Sequence, residues 1–299
     1  MPVNQAVLFT KPIHHLETDL SPEKLCKSVR DYFGHQGFSF VLDRMVSGPE
    51  LARRDVIRRH YLMYSKAACA ETLDISEAGK DRFEEAFGKS WLAEATEGRI
   101  LPTAKLLETT GIGVKQLFNR WNGLCLAGET VKIEDGLIMG YLKDLDVYCI
   151  NAFYPSMEAN FYHPDTRICY FVVEFDPAHW SWREFRKGVL GATDASKAAP
   201  KSFRYQLYSE YPVDFPGRDN FVHGSAGPFE AFVERAIHEE DFDMESNPVG
   251  EFLSRKGVTL KSFAAWKAKQ SIATLGGLFD ATEEKDTADV LAMLDQVAW

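Results

Sequence analysis

One stretch of the chain, Ile168–Phe175, is almost continuously apolar, and this feature constrains the fold more than any other. Such a run is expected for a strand that is covered on both faces, so other parts of the chain should pack on either side of it. It is far shorter than the ~20 residues needed to cross a bilayer, and the N-terminus lacks a cationic start followed by an apolar run. We therefore expect neither a membrane span nor secretion.

The N-terminal region alternates between strand and helix signals. Its first apolar run stops at Lys11-Pro12, because proline cannot donate to a β-ladder. Ser21-Pro22-Glu23 then supplies an N-cap, a proline at the first helical position and an acidic first turn, and Gly34 stands in the stop position. The predicted order is strand, helix, strand, helix, over Ala6–Thr10, Ser21–Gly34, Phe38–Leu42 and Ser47–Tyr61.

Residues 65–124 change character, because their apolar residues recur at helical spacing between glycine and proline breaks. Asp135-Gly136 within Glu129–Met139 is a hairpin-type turn signal. Alternation then resumes, and the remaining predicted elements are a helix over Trp182–Val189, a short strand over Asn220–His223, a helix over Pro228–His238, and C-terminal helices over Pro248–Lys256, Leu260–Ala273 and Thr287–Ala298.

Charge and cysteine content narrow the function classes. The 299 residues carry 34 Lys and Arg against 44 Asp and Glu, a net charge of −10, which disfavours binding to nucleic acid or to a membrane surface. The five cysteines are scattered without a C-x-x-C pair, so we expect neither a disulfide framework nor a zinc knuckle. A reducing, cytoplasmic location fits this pattern best.

Three patterns resemble known binding motifs but lack residues or spacings that those motifs require. The segment Gly191–Lys197 lacks the second glycine and the following hydroxyl residue of a phosphate-binding loop. The acidic residues of 241–245 are spaced like a calcium loop, but Phe252 stands where the bidentate acid belongs. The remaining histidines show no metal-ligand spacing and are expected in exposed loops: His14, His15, His163 and His179.

The most informative residues lie between Phe185 and Glu234. They are Gly191-Ala192-Thr193-Asp194, Ala199-Pro200, Arg204, Asn220, His223-Gly224-Ser225 and Glu234. Together they resemble the nucleoside diphosphate kinase family, whose pattern has a G-x-T-[DN]-P-like turn, an A-P-G-[ST]-[IL]-R element and an N-x-x-H-G-S motif with a glutamate in the next helix. Further family elements are resembled upstream, in the same order, by Phe9-Thr10-Lys11-Pro12, His60-Tyr61 and Phe153-Tyr154-Pro155.

The resemblance implies that the γ-phosphoryl group of a nucleoside triphosphate passes to a nucleoside diphosphate by a ping-pong mechanism, with His223 as the carrier. A neutral imidazole is a competent nucleophile near neutral pH because its unperturbed pKa is about 6.5. By the same resemblance Asn220 contacts the sugar, while Ser225 and Glu234 orient the ring. Glu234 follows His223 by eleven positions in a helix opened by Pro228, so its carboxylate can return beside the imidazole.

The phosphates of the substrate need local positive charge despite the acidic total. The candidates are Lys11, Arg204 and one of Arg186 or Lys187, with Thr193 adding a hydroxyl donor. Arginine is better suited to a bidentate clamp, whereas Lys187 has the spacing from Thr193 that compact family members use for their arginine. We favour Arg186.

Two aromatic residues and a metal ion complete the implied site. Tyr61 and Phe153 would belong to the nucleotide site, with the Phe153 ring stacking on the base. Both could instead be core residues, because an aromatic at helical spacing is more often buried than bound to a ligand. The family also implies a Mg²⁺ ion that is held by the nucleotide phosphates rather than by a set of protein ligands.

The fold implied by the resemblance is α+β, with a ferredoxin-like βαββαβ core that has a four-stranded antiparallel sheet and helices on one face. Residues 1–64 and 151–240 would form the two halves of this core. Residues 65–150 would be a mainly helical insertion with a hairpin, and residues 241–299 a C-terminal helical extension.

The chain also departs from the family. It places ninety-one residues between Tyr61 and Phe153, lengthens the segment 205–219, and has Ala226 and Lys201 in place of an aspartate and a glycine. These departures favour one alternative, a nucleotide-binding or interaction module with weak or no catalysis. A phosphorelay protein is a weaker alternative, because those proteins carry their histidine on a helix. Compact members form hexamers or tetramers, and an insertion of this size can cover or replace the interface of such a homo-oligomer.

Overall fold

In this computed structural model, which describes residues 2–71, 73, 75–134, 136–270 and 272–299, the long apolar run forms an inner strand of an antiparallel sheet. The strands of the described residues are β1 (Asn4–Thr10), β2 (Ser39–Ser47), β3 (Ile100–Pro102), β4 (Thr130–Glu134), β5 (Leu137–Leu142), β6 (Val147–Ile150), β7 (Arg167–Phe175) and β8 (Val222–Gly224). Their helices are α1 (Pro22–His35), α2 (Gly48–Arg53), α3 (Val56–His60), α4 (Leu62–Cys69), α5 (Glu77–Phe87), α6 (Trp91–Thr96), α7 (Thr103–Thr110), α8 (Val114–Ala127), α9 (Tyr154–Tyr162), α10 (Trp182–Glu184), α11 (Phe203–Glu210), α12 (Pro228–His238), α13 (Pro248–Arg255), α14 (Leu260–Lys269), α15 (Ile272–Thr282) and α16 (Thr287–Leu294). The architecture is mixed α+β.

The chain divides into two compact units, Met1–Val56 with Phe161–Trp299, and Ile57–Asn160. The first unit contains a sheet with the strand order β2-β7-β1-β8, in which every neighbouring pair is antiparallel. All seven residues of β1 are buried, as expected for an inner strand with both faces covered. Both strands predicted from the apolar runs are therefore confirmed.

Helix α1 begins as the sequence predicts. The Ser21 hydroxyl accepts a hydrogen bond from the Lys24 backbone N–H at 3.1 Å, and Pro22 occupies the first helical position. The helix continues through Gly34 to His35, and Gly37 rather than Gly34 adopts a left-handed conformation, with φ +83°. Its apolar face packs into the core with the inner strands.

A disulfide joins α1 to the inner strand β7, between Cys26 and Cys169. One bond is not a disulfide framework, but the expectation of reduced cysteines is wrong for this pair. The two residues are 143 positions apart, and only the packing of α1 on the sheet brings their Cα atoms to 5.8 Å. Because disulfides are rare in reducing compartments, the cysteine-based expectation of a reducing, cytoplasmic location loses its support.

The helix predicted from Ser47 to Tyr61 is interrupted. Asp55 has φ +51°, and this left-handed residue separates α2 from α3. The start is as predicted, since the Ser47 hydroxyl accepts from the Glu50 backbone N–H at 3.3 Å.

The second unit contains five complete helices, α4 to α8, and a sheet with the order β3-β6-β5-β4 in its described residues. The predicted hairpin is confirmed by the antiparallel pairing of β4 with β5, and Gly136 at the turn has φ +72°; Asp135 lies outside the described residues. The expectation of helices plus one hairpin was incomplete, because β3 and β6 extend the hairpin to four strands. Strands of three and four residues are too short to show a period.

The C-terminal region is helical, as predicted, although the helix expected over Leu260–Ala273 is divided between α14 and α15. This region is attached to the core near the start of β1. The Asn4 side chain donates to Asp286 Oδ1 at 2.7 Å and accepts from the Thr287 backbone N–H at 2.9 Å. Within the described residues, none of the helices combines the length and apolar composition that crossing a bilayer requires.

Candidate active site

His223 lies on β8, the short edge strand of the first sheet. In the sheet His223 lies opposite Phe9 of β1, and the two rings stack with centroids 4.5 Å apart. The preceding Phe221 has φ +63°, a left-handed conformation that is costly for an aromatic residue and marks a sharp change of direction before the strand. The His223 side chain is 17% exposed, so the ring remains reachable from solvent.

A hydrogen-bonded carboxylate holds the imidazole. His223 Nε2 lies 2.6 Å from Oε1 of Glu234, which α12 presents, and Glu234 Oε2 accepts from the Ser225 hydroxyl at 2.6 Å. The Ser225 hydroxyl in turn accepts from the backbone N–H of Val7 at 2.9 Å. Helix α12 begins at Pro228, as predicted, and this start places Glu234 on the face toward His223. The arrangement fixes the ring orientation and would stabilise positive charge on the imidazole.

The pKa of His223 is well below its usual value. Burial is the largest cause, and repulsion by the positive charges of Lys11, Arg204 and Arg186 adds to it. The ring is therefore neutral near neutral pH, in the protonation state that a nucleophile requires. The same three cations provide the positive surroundings in which an anionic substrate would be stabilised.

Lys11 lies where the chain leaves β1. Its backbone N–H donates to the Phe221 carbonyl at 2.7 Å, and its Nζ donates to the Arg218 carbonyl at 2.9 Å. Burial, followed by repulsion from Arg204, lowers the pKa of Lys11 to about 7, although Asp219 opposes the shift. The long segment 205–219 thus contributes directly to the surroundings of this lysine.

Arg204 is only 4% exposed and holds two chain segments beside His223. Its Nε and Nη2 donate to the Val222 carbonyl at 3.1 and 2.8 Å, and its Nη1 donates to the Gly191 carbonyl at 2.8 Å. Gly191 has φ +96°, and an added Cβ would clash with the Ser202 side chain, so a larger residue would disrupt this turn. Arg204 therefore supports the strand that carries the histidine as well as supplying charge.

The structure places Arg186, rather than Lys187, against the strand of His223. Arg186 Nη1 donates to the Gly224 carbonyl at 3.1 Å, whereas Lys187 pairs with Glu284 and is 56% exposed. Both residues lie in a π-helical segment, Phe185–Leu190. A π-turn contains one residue more than an α-turn, so this segment turns differently from the regular helix that spacing assumes.

Asn220 and Thr193 meet through a side-chain contact to the backbone. The buried Asn220 amide donates from Nδ2 to the Thr193 carbonyl at 2.7 Å and to the Gly217 carbonyl at 3.3 Å. In the part of the chain that the structure describes, Asn220 Oδ1 is buried without a hydrogen-bond partner. A buried acceptor left in this state is costly unless a ligand supplies a donor. Thr193 itself is exposed.

Tyr61 and Phe153 belong to the second unit. The Phe153 ring lies 5.7 Å from Tyr64 and 6.0 Å from Trp121, and it packs against the apolar cluster of that unit. Tyr61 is half-buried just before α4, with its ring 4.5 Å from His60. The packing of Phe153 agrees with the core alternative considered above, and the role of both residues in base binding stays a prediction.

Sequence reasoning missed Glu230. Its carboxylate accepts a hydrogen bond from the Ala226 backbone N–H in the loop that follows His223. Burial raises the pKa of Glu230 to about 8, and the nearby charge of Glu234 adds to the shift. A signal was present, because Glu230 stands three residues after Gly227, the N-cap of α12, where a carboxylate often bonds backward.

Comparison with known proteins gives only distant similarity. No protein-family model and no curated protein sequence matches the chain. Among solved structures, an NDP kinase from Pyrobaculum aerophilum is 18% identical with a TM-score of 0.40, over 80% of this chain and 97% of its own. A nucleoside diphosphate kinase from Aquifex aeolicus is 12% identical with a TM-score of 0.35, over 80% and 97%. The nucleoside-diphosphate kinase from Borrelia burgdorferi with bound vanadate and ADP is 14% identical with a TM-score of 0.34, over 80% and 88%. These values are too low to assign a function.

The carboxylates around His223 bear on where a Mg²⁺ ion could bind. Glu234 is engaged by His223 and Ser225, Glu230 by a backbone N–H, and Glu283 by Arg186. Mg²⁺ prefers several oxygen ligands and retains water, and it commonly binds through substrate phosphates. Because these three carboxylates already have partners, they fit an ion that arrives with a nucleotide better than an ion held by the carboxylates themselves.

Proposed function

We propose that this chain is a nucleoside diphosphate kinase-like phosphotransferase that passes the γ-phosphoryl group of a nucleoside triphosphate to a nucleoside diphosphate through phospho-His223. The observation that carries the proposal is a neutral, partly exposed imidazole, held by Glu234 and flanked by Lys11, Arg186 and Arg204 from distant parts of the chain. Transfer of a phosphoryl group depends mostly on positioning and on stabilising spread negative charge, and this cluster supplies both.

The reaction would proceed in two displacements. With Nε2 engaged by Glu234, Nδ1 is assigned as the attacking atom; a P–N bond forms at the γ-phosphorus while the bond to the β-phosphate oxygen breaks, and the diphosphate leaves with that electron pair. Glu234 stabilises the positive charge that develops on the ring. A second diphosphate then attacks the phosphohistidine, the P–N bond breaks, and neutral His223 is restored. Lys11 and Arg186 would contact the phosphates, and a bound Mg²⁺ would neutralise part of their charge.

Nucleoside binding is proposed on narrower grounds. Asn220, whose buried Oδ1 has no partner among the described residues, would bind the sugar, and the exposed Thr193 can donate to a phosphate. The rings of Tyr61 and Phe153 would contact the base, which is a sequence-tolerant interaction because every base has a π-face.

The proposed core is a ferredoxin-like βαββαβ fold formed by residues 1–64 and 151–240. The strand order β2-β7-β1-β8, antiparallel throughout, supports this proposal, as do α1 between β1 and β2 and the helical turn between β7 and β8. In this view residues 65–150 are an insertion and residues 241–299 an extension.

Exchange kinetics test the function. The full chain is incubated with Mg²⁺, ATP and GDP, and GTP formation is measured while both substrates are varied. A phosphoenzyme mechanism predicts parallel double-reciprocal lines, because ADP leaves before GDP binds. Intersecting lines would contradict the carrier mechanism. Nucleotide binding without any exchange would support the alternative of a catalytically inactive nucleotide-binding module.

The pKa of Lys11 makes nucleotide binding depend on protons. At pH 8 the free protein carries mostly neutral Lys11, since its pKa is about 7, and a bound polyphosphate would favour the charged form. We expect ADP to bind at pH 8 with uptake of most of one proton, and at pH 6 with almost none from this lysine. Calorimetry in buffers of different ionisation enthalpy measures the uptake.

The Lys11→Arg variant is the matched control for this prediction. Arginine stays charged at both pH values, so the variant should bind ADP at pH 8 without the proton uptake of the wild type. Equal uptake by the two proteins would show that another group takes up the proton.

A further inference from the structure

The C-terminal extension lies against the loop that follows His223. The Glu284 backbone N–H donates to the Ala226 carbonyl at 2.9 Å, and an added Cβ on Gly227 would lie 2.6 Å from the Thr282 carbonyl oxygen. Glycine at position 227 therefore permits the close approach of two backbones. Residues 282–284 comprise the last residue of α15 and the first two residues of its connection to α16, and we call them the covering segment.

The covering segment contributes two carboxylates to the cations beside the proposed phosphate site. Glu283 Oε1 pairs with Arg186 Nη2 at 3.2 Å, and Glu284 pairs with Lys187 at 3.0 Å. Arg186 also donates to the Gly224 carbonyl, next to His223. One nitrogen of the Arg186 guanidinium, Nη2, is thus already bound to a carboxylate of the same chain.

We propose that Glu283 sets the affinity for nucleotide phosphates by occupying Arg186 until a phosphate replaces it. This inference rests on the proposed function, because it assumes that Arg186 binds a phosphate of the substrate. The Glu283 side chain is 42% exposed against 19% for Arg186, so the carboxylate can turn to solvent while the guanidinium stays in place. A nucleotide phosphate carries more negative charge than a carboxylate and can bind the guanidinium in a bidentate manner, so it competes effectively.

Replacement of Glu283 by a phosphate on Arg186 would also affect the C-terminal extension. Glu284 has φ +56°, a conformation that non-glycine residues adopt at a cost, and it stays attached to Ala226 through its backbone. Displacement of Glu283 would therefore change the contacts of the covering segment directly beside the loop that follows His223.

The test compares the dissociation constant for ADP, measured by calorimetry at low salt, in five proteins: wild type, Glu283→Gln, Glu284→Gln, Arg186→Gln and the double variant Arg186→Gln with Glu283→Gln. The Glu283 carboxylate competes with the ligand for Arg186, so Glu283→Gln is expected to bind ADP about fivefold more tightly than the wild type. High salt should reduce this gain in affinity. Glu284→Gln is the matched control and should bind ADP as the wild type does. Thermal melting checks that all variants are folded.

The outcomes separate the inference from the proposed function. If wild type binds ADP and Glu283→Gln binds no more tightly, the inference fails while the function stands. A gain in Glu284→Gln but not in Glu283→Gln would assign the phosphate to Lys187 and overturn the inference. In the Arg186→Gln background the Glu283 substitution should bring no gain over Arg186→Gln alone, and a gain there would show that Glu283 acts through general charge. If wild type binds no nucleotide at all, the proposed function itself is wrong.

Discussion

The variant His223→Ala is expected to lose phosphoryl exchange between ATP and GDP, with the rate falling by about 10⁴-fold or more, as for other enzymes that lose their nucleophile. The methyl group of alanine cannot form the P–N bond, so the positive charge around position 223 and the carboxylate of Glu234 would have no nucleophile to support. The initial rate of GTP formation at saturating Mg²⁺ measures the loss.

A surface histidine provides the control for this experiment. His179 is largely exposed and lies 3.4 Å from Asp176, so the variant His179→Ala should exchange phosphoryl groups at the wild-type rate. Retention of a tenth or more of the activity by His223→Ala would contradict the assignment of the nucleophile.

The variant Arg204→Ala is expected to lower the free energy of unfolding by about 3 kcal/mol, because the buried carbonyls of Val222 and Gly191 would lose their donors. Arg204→Lys should lose less, since lysine keeps the charge and can satisfy one carbonyl, but it lacks the planar fork that reaches both. Urea unfolding followed by tryptophan fluorescence measures both variants.

An exposed arginine on the neighbouring helix is the matched control. Arg183 lies on α10 with an exposed side chain, and Arg183→Ala should change the unfolding free energy by less than about 0.5 kcal/mol. If Arg204→Ala unfolds at the same urea concentration as the wild type, the claim that Arg204 stabilises β8 is wrong.

Much of the fold was predictable from local physical chemistry. Ser21-Pro22 and Pro228 set the starts of α1 and α12, because a cap and a preset φ act within one turn. The inner strands followed from their apolar runs. The disulfide was not predictable, because Cys26 and Cys169 come together only when the chain has packed. The small sheet of the second unit was not predictable either, because strands of three and four residues do not show their pairing in the sequence.

In the candidate site, too, contacts between residues close in sequence were predictable and contacts between distant residues were not. The spacing from His223 to Glu234 predicted their contact, since both lie in one short strand–turn–helix unit. The contact of Arg186 rather than Lys187 with the Gly224 carbonyl occurs in a π-helical segment, which spacing alone does not reveal. Glu283 was not predicted, because its partner Arg186 lies 97 positions earlier and only tertiary packing joins them.

The most direct test of the account is to identify the phosphorylated residue. The full chain is incubated with ATP and Mg²⁺, quenched in alkali and analysed by mass spectrometry and by the stability of the label. We predict a phosphate on His223 that is lost in acid, persists in alkali and is removed by added GDP. An acid-stable phosphate, a phosphate on any other residue, or no phosphate on a folded protein that binds ATP would contradict the account.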